Sequence, residues 1–92
     1  MRIALTERFQ SDVRGREDEH RARAFDVVLS LPRLVGEPHR HAGMGIRKLH
    51  RSGIWEARVG LGLRLVFALG KDLLTLVRVG SHEDVRRFLR EL

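Results

Sequence analysis

Residues 45–92 read GIRKLHRSGIWEARVGLGLRLVFALGKDLLTLVRVGSHEDVRRFLREL, and their periodicity decides the fold. Apolar residues recur with period two over four stretches, Ile46 to His50, Ile54 to Val59, Leu63 to Ala68 and Leu73 to Val79. Successive side chains on a strand point to opposite faces, so this period marks strands with one buried face. Arg51-Ser52-Gly53, Gly60-Leu61-Gly62 and Gly70-Lys71-Asp72 lie between them and are short and glycine-bearing enough to reverse the chain. Four strands joined by such turns predict an antiparallel meander. From Glu83 to Leu92 the period changes, with Val85, Phe88, Leu89 and Leu92 at i, i+3, i+4, i+7, the spacing of a helix docked by one face. Ser81 and Asp84 have the spacing of a capping box at its start.

Upstream, Arg2 to Thr6 alternates as a short strand that puts Ile3 and Leu5 on one face. Thr6 can cap a short helix from Glu7 to Val13 that pairs Phe9 with Val13, and Gly15 breaks it from a second helix. That second helix, from about Arg16 to Leu31, carries Ala24, Val27, Val28 and Leu31 at helical spacing. Pro32 is expected to end it. Residues 33–45, RLVGEPHRHAGMG, hold three glycines and one proline without a clear period and read as a loop. The expected architecture over residues 1–92 is one α+β domain: a strand, a helical hairpin, a four-stranded antiparallel meander and a C-terminal helix. Helices segregated from an antiparallel sheet are expected on one of its sides, which leaves the other free to bind.

A chain of 92 residues has room for one core. With 42% hydrophobic residues and no cysteine, that core is held by packing, without disulfides, thiolate metal sites or a thiol nucleophile. This suits a reducing cytoplasm. The opening MRIALTERFQSD has charges too early to be a signal peptide, and the longest apolar run, Leu65 to Leu69, is too short to span a bilayer. The net charge of +6 is uneven, since residues 1–32 carry six basic and six acidic groups and residues 33–92 carry twelve and six. His39, His41, His50 and His82 lie in the second part too. A local basic excess is the electrostatic footprint of a phosphate-rich partner, although arginines on a solvated surface produce the same composition.

Sorting the strands by alternation suggests where those charges meet. Ile54, Glu56 and Arg58 oppose Trp55, Ala57 and Val59; Arg64 and Val66 oppose Leu63, Leu65 and Phe67; Leu73, Thr75, Val77 and Val79 oppose Leu74, Leu76 and Arg78. Lys48, His50, Arg58, Arg64 and Arg78 are thereby expected on one surface with Arg47 at its edge. Guanidinium groups bind phosphate oxygens bidentately and stabilise charge developing at phosphorus. The competing reading pairs each arginine with Glu56 or Glu83. His82 stands between the last strand and the terminal helix, where the helix dipole favours neutral imidazole and Glu83 and Asp84 favour its cation. A histidine there can accept or donate a proton at physiological pH, or simply cap the helix. His39-x-His41, with Glu37 nearby, is a weak signal for zinc or nickel, and no metal or other cofactor is expected. Gly43-x-Gly45 and Gly60-x-Gly62 lack the context of phosphate loops and read as turns.

Residues 45–92 resemble the C-terminal half of toxins of the RelE/ParE superfamily. The resemblance is carried by Gly53-Ile54-Trp55, the strand with Arg58, Arg64-Leu65-Val66-Phe67 and Val79-Gly80-Ser81-His82. The first half matches in its order of elements. What this resemblance implies is a toxin of a type II toxin-antitoxin system, with mRNA, the ribosome and a cognate antitoxin as partners and no membrane. RelE-like members cut mRNA in the ribosomal A site without metal, by driving the 2′-hydroxyl onto the neighbouring phosphate. Carried over by position, His82 would be the general base or acid, Arg58 and Arg64 would stabilise the phosphate, and Lys48, Arg47, His50 and Arg78 would hold RNA. The sequence also departs from the family. It has no tyrosine, Phe88 and Glu83 standing where RelE and YoeB respectively use one, and Gly62 stands where YafQ has an aspartate and YoeB a glutamate. A ParE-like gyrase inhibitor and a RelE-like binding module without activity are the alternatives.

Overall fold

The alternating stretches do form strands, and local capping chemistry sets the ends of the helices. The computed structural model describes Met1–Leu92 in the order β1 (Arg2–Leu5), α1 (Glu7–Arg14), α2 (Asp18–Leu34), a 3-10 turn (Pro38–Arg40), β2 (Arg47–His50), β3 (Ile54–Gly60), β4 (Leu63–Gly70), β5 (Leu73–Gly80) and α3 (His82–Arg90). Thr6 starts α1 by accepting the Phe9 N–H at 3.0 Å, which satisfies one of the amides a helix start leaves free. Ser81 and Asp84 form the complete capping box of α3, each side chain accepting from the other's backbone N–H at 3.1 and 2.9 Å.

The sheet has the order β1-β5-β4-β3-β2. Strands β2 to β5 form the expected antiparallel meander, and β1 adds a parallel edge, with Arg2 opposite Leu73 and Leu5 opposite Leu76. No periodicity in β1 could have announced this neighbour, because the pairing is made with residues some seventy positions away. Beyond Leu5 the chain turns away into α1, which leaves the edge of β5 open. Two side chains close it: Thr6 Oγ1 donates to Val77 O at 3.2 Å, and Asp12 Oδ2 accepts from Val79 N at 3.0 Å.

Three expectations are corrected. Pro32 does not end α2, which continues to Leu34. Leu31 and Leu34, both buried at i, i+3, hold that last turn on the core, and the proline removes only one amide donor near an end whose groups are partly unpaired anyway. The faces of β5 also change phase along the strand. Val66 pairs with Arg78 but Phe67 pairs with Leu76, so Val77 is an extra residue and the core face runs Leu74, Leu76, Val79.

The third correction concerns the helices, which are not all on one side. Phe9, Val13, Ala24, Val28, Leu31 and Leu34 of α1 and α2 share a core of fifteen buried residues with Ile46, Ala57, Val59, Leu63, Leu65, Phe67, Leu74, Leu76 and Val79. Gly80 pairs with Arg64 and so belongs to the opposite face, where a Cβ on it would stand 2.7 Å from Asp84 Cβ. Helix α3 therefore lies across β4 and β5 on the arginine face, and Val66 and Val85 are buried outside the main core. The binding face is a part of the sheet beside α3, not the whole side.

Candidate functional site

Cross-strand register brings the candidate residues together or separates them. Arg58 of β3 and Arg64 of β4 are directly opposite each other, and Gly80 of β5 completes that rung. One rung along, Arg47, Glu56, Val66 and Arg78 stand in a row across β2 to β5. Residues opposed in register share a face, so Arg47, Glu56, Arg58 and Arg64 all lie on the side taken by α3. His82, the first residue of α3, is exposed beside them. Ala42, Gly45, Ile46, Arg47, Glu56, Arg58, Arg64 and His82 line a single cavity of about 360 Å³.

Arg58 and Arg64 make no ion pair, in contrast to Arg47 and Arg78. Like charges directly opposite on a sheet destabilise it, so a rung of two free guanidinium groups is a place where a bound anion lowers the energy. The loop before β2 holds Arg58 in position. Arg58 N donates to Met44 O at 3.2 Å, and Gly45, at φ +65°, lies so close that a Cβ would stand 2.8 Å from Arg58 Cβ. Only glycine fits both that conformation and that approach. The Gly43-x-Gly45 pattern read as a turn is thus the support of a site arginine.

Three expected binding residues stand elsewhere. A register shift between Lys48 and His50 puts Lys48 opposite Trp55 and His50 opposite Ile54. Lys48 is therefore on the other side of the sheet from Arg58, contrary to the simple alternation that grouped it with His50. His50 shares the arginine face but does not line the cavity, with Nδ1 at 2.6 Å from Ser52 Oγ. Arg78 shares the face too, but its Nε donates to Asp12 Oδ2 at 3.1 Å and its side chain is only 16% exposed. It braces β5 against α1. In the loop, His41 Nε2 is 2.8 Å from Leu34 O with its ring edge-on to Trp55, and Glu37 pairs with Arg40 at 3.0 Å.

Glu56 is the residue that sequence reading undervalued. It is 3% exposed and the only buried charged side chain. Arg47 Nε donates to its Oε2 at 2.6 Å, while Oε1 is buried with no hydrogen-bond partner. Alternation placed it on the arginine face but treated it as a counterion. The available signal was that it is the only acidic residue within the five strands.

Asp84 sets the position of His82 through the capping box. Its hydrogen bonds from the Ser81 backbone and hydroxyl, with nearby Arg78 and Arg87, hold its carboxyl below the ordinary aspartate value of 3.8. The folded group ionises at lower pH than the unfolded one, so the native state binds fewer protons between the two values and stability rises with pH across that window. Asp84→Asn is expected to cost about 1 kcal/mol near pH 6, and the cost should vanish as pH falls through the folded value. Urea melts of both proteins at pH 6 and pH 3 measure it, and an equal difference at both would remove the role of the carboxylate charge.

Comparison with solved structures gives this geometry a relative. YafQ from Escherichia coli strain BL21(DE3) superposes with a TM-score of 0.73 over 92% of this chain and 98% of its own, at 21% identity. The chain has the RelE-type toxin fold. The YoeB/ParE toxin from Agrobacterium tumefaciens superposes on this chain at TM-score 0.69 and 18% identity, covering 89% of this chain and 99% of that one. RelE in the RelE-RelB complex from Pyrococcus horikoshii OT3 gives 0.66 and 15%, covering 87% and 92%. No protein-family model and no curated protein sequence matches the chain. At these identities the likeness is one of fold. No helix is long and apolar enough to cross a membrane.

Proposed function

We propose that this RelE-type chain is the toxin of a type II toxin-antitoxin system and that it cuts mRNA, at the ribosome, by metal-independent transesterification. The observation that carries the reading is the rung of two unpaired arginines, Arg58 and Arg64, lining one cavity with the His82 imidazole. Attack of a 2′-hydroxyl on the adjacent phosphate needs proton transfer at two oxygens and cations around a phosphorane. Arg58 and Arg64 hold the phosphate and take up the growing charge, and His82 transfers a proton as base or acid. Arg47 stands at the mouth of the same cavity, 65% exposed, where it can also meet the RNA backbone.

The antitoxin expectation is supported by the fold, since similar chains are seen in an E. coli DinJ-YafQ toxin-antitoxin complex and in the archaeal RelE-RelB complex. A protein partner that covers the basic cavity would silence it. The test is induction of the chain in cells followed by mapping of mRNA 5′ ends, and the same mapping on mRNA programmed into purified ribosomes. New 5′-hydroxyl ends at defined codon positions are expected. Growth arrest without new ends, accompanied by gyrase-cleaved DNA, would replace this reading with the ParE-like one.

A further inference from the structure

We propose that Glu56 is the general base of this site, taking the 2′-hydroxyl proton through Oε1, and that His82 is thereby left as the acid. The assignment rests on the nuclease reading above and supplies what that reading lacks, a second group for proton transfer.

Three observations converge on it. The carboxylate is buried and lines the cavity, yet one oxygen has no partner. An unpaired buried polar atom costs about 1–3 kcal/mol, so it calls for an explanation, and a donor carried by a ligand supplies one. Arg47 occupies Oε2 alone, which fixes the carboxylate and leaves Oε1 as the oxygen free to accept. Glu56 is also two residues from Arg58 on the same strand and face, so the acceptor sits beside the phosphate-binding rung and not at a distance from it. A site meant only to bind RNA gains nothing from this group, since a carboxylate next to two phosphate-binding arginines repels the ligand. A carboxylate held there is placed to accept the proton of the attacking oxygen.

The sequence shows why this role falls on Glu56. Gly62 removes the carboxylate that the resemblance would place in the turn after β3, and no tyrosine exists to substitute. Glu56 enters the same cavity from the middle of β3. The charged groups around it are Arg47 on β2, Arg58 on its own strand, Arg64 on β4 and His82 on α3, while Arg78 on the same rung is turned to Asp12.

The step balances. The Glu56 carboxylate removes the 2′-O–H proton as the 2′-oxygen forms its bond to phosphorus. The P–O5′ bond then breaks, and the His82 imidazolium gives its proton to the leaving 5′-oxygen. The products are a 2′,3′-cyclic phosphate and a 5′-hydroxyl, and water exchanges restore the two side chains.

The experiment compares cleavage of ribosome-bound mRNA by the wild type, Glu56→Gln, Glu56→Asp and His82→Ala across pH. Glu56→Gln is expected to lose about 100- to 10,000-fold in single-turnover rate and to lose the acid limb of the profile. Glu56→Asp should be slower but keep that limb. A substrate with sulfur in place of the leaving 5′-oxygen needs no acid, so it should restore His82→Ala and leave Glu56→Gln impaired. A Glu56→Gln enzyme with wild-type rate and profile overturns the assignment, as does rescue of Glu56→Gln by the sulfur substrate, or a Glu56→Asp profile without the acid limb. Wild-type protein that cuts no RNA overturns the nuclease reading itself, an outcome distinct from a wild type that cuts without needing Glu56.

Discussion

Arg64→Ala is expected to lower RNA cleavage by about 100- to 1,000-fold while leaving thermal stability unchanged or slightly raised. The first half follows from what a preformed cation does beside a reacting phosphate. In a partly enclosed site it stabilises charge that is larger in the transition state than in the bound substrate, and losing one such contact costs about two to three orders of magnitude. Arg64 is half-buried and its Nη1 donates to Leu63 O at 3.1 Å, so the guanidinium is already held above its strand before RNA arrives. The second half follows from its neighbour. Arg58 is directly opposite and neither arginine has an ion-pair partner, Glu56 being paired to Arg47, so removing one charge relieves part of the repulsion in the empty protein. Single-turnover cleavage and a thermal melt of the same preparation measure both. A variant that loses stability and activity together would make Arg64 a structural residue, and one that keeps its rate would remove it from the site.

Gly80→Ala should damage the protein and its activity together, although residue 80 touches no RNA. The backbone there is not in the left-handed region, so the effect is one of space alone. An added methyl would stand 2.7 Å from Asp84 Cβ and 2.8 Å from Asp84 Oδ2, the oxygen that accepts from Ser81. Helix α3 must move away or the capping box must open. Overpacking of this kind costs about 1–3 kcal/mol, and about 1 kcal/mol corresponds to some 4–8 °C in Tm for a domain of this size. His82 begins α3, so any shift of the helix displaces the imidazole, and a misplacement of about 1 Å costs roughly 100-fold in rate. Melting followed by near-UV circular dichroism, with cleavage assayed below the lowered Tm, tests the coupling. Normal Tm and normal cleavage would show that the site is not held through this contact.

The two variants probe opposite sides of the same design. Arg64 contributes charge that the fold tolerates at a cost, and Gly80 contributes an absence of side chain that lets a helix carry His82 onto the sheet. Both belong to the rung that pairs Arg58, Arg64 and Gly80, where the face opposite the core passes from exposed Arg58 to Gly80 buried under α3.

Much of this was legible in the chain. Period-two alternation separates Arg58 and Arg64 from Trp55, Ala57, Leu65 and Phe67 without any coordinates, because side-chain direction on a regular strand depends only on parity. The capping pair Ser81 and Asp84 was readable for a similar reason, as its hydrogen bonds span three residues. Parity fails wherever a bulge inserts a residue. Lys48 was grouped with His50, and Val79 with Leu73 and Val77, because the register shifts in β2 and β5 arise from pairing with the neighbouring strand and leave no mark on the strand itself.

By itself, then, the sequence determined which segments are strands and helices and which arginines leave the core, since these are local matters of period and of burying apolar area. Tertiary structure alone decided that β1 runs parallel beside β5, that α3 crosses the arginine face, that Arg78 is spent on Asp12 and that Glu56 keeps one oxygen unpaired inside the cavity. These depend on contacts between residues far apart in the chain, whose energies come from packing and from desolvation of charge. Neither quantity has a value until the elements have met.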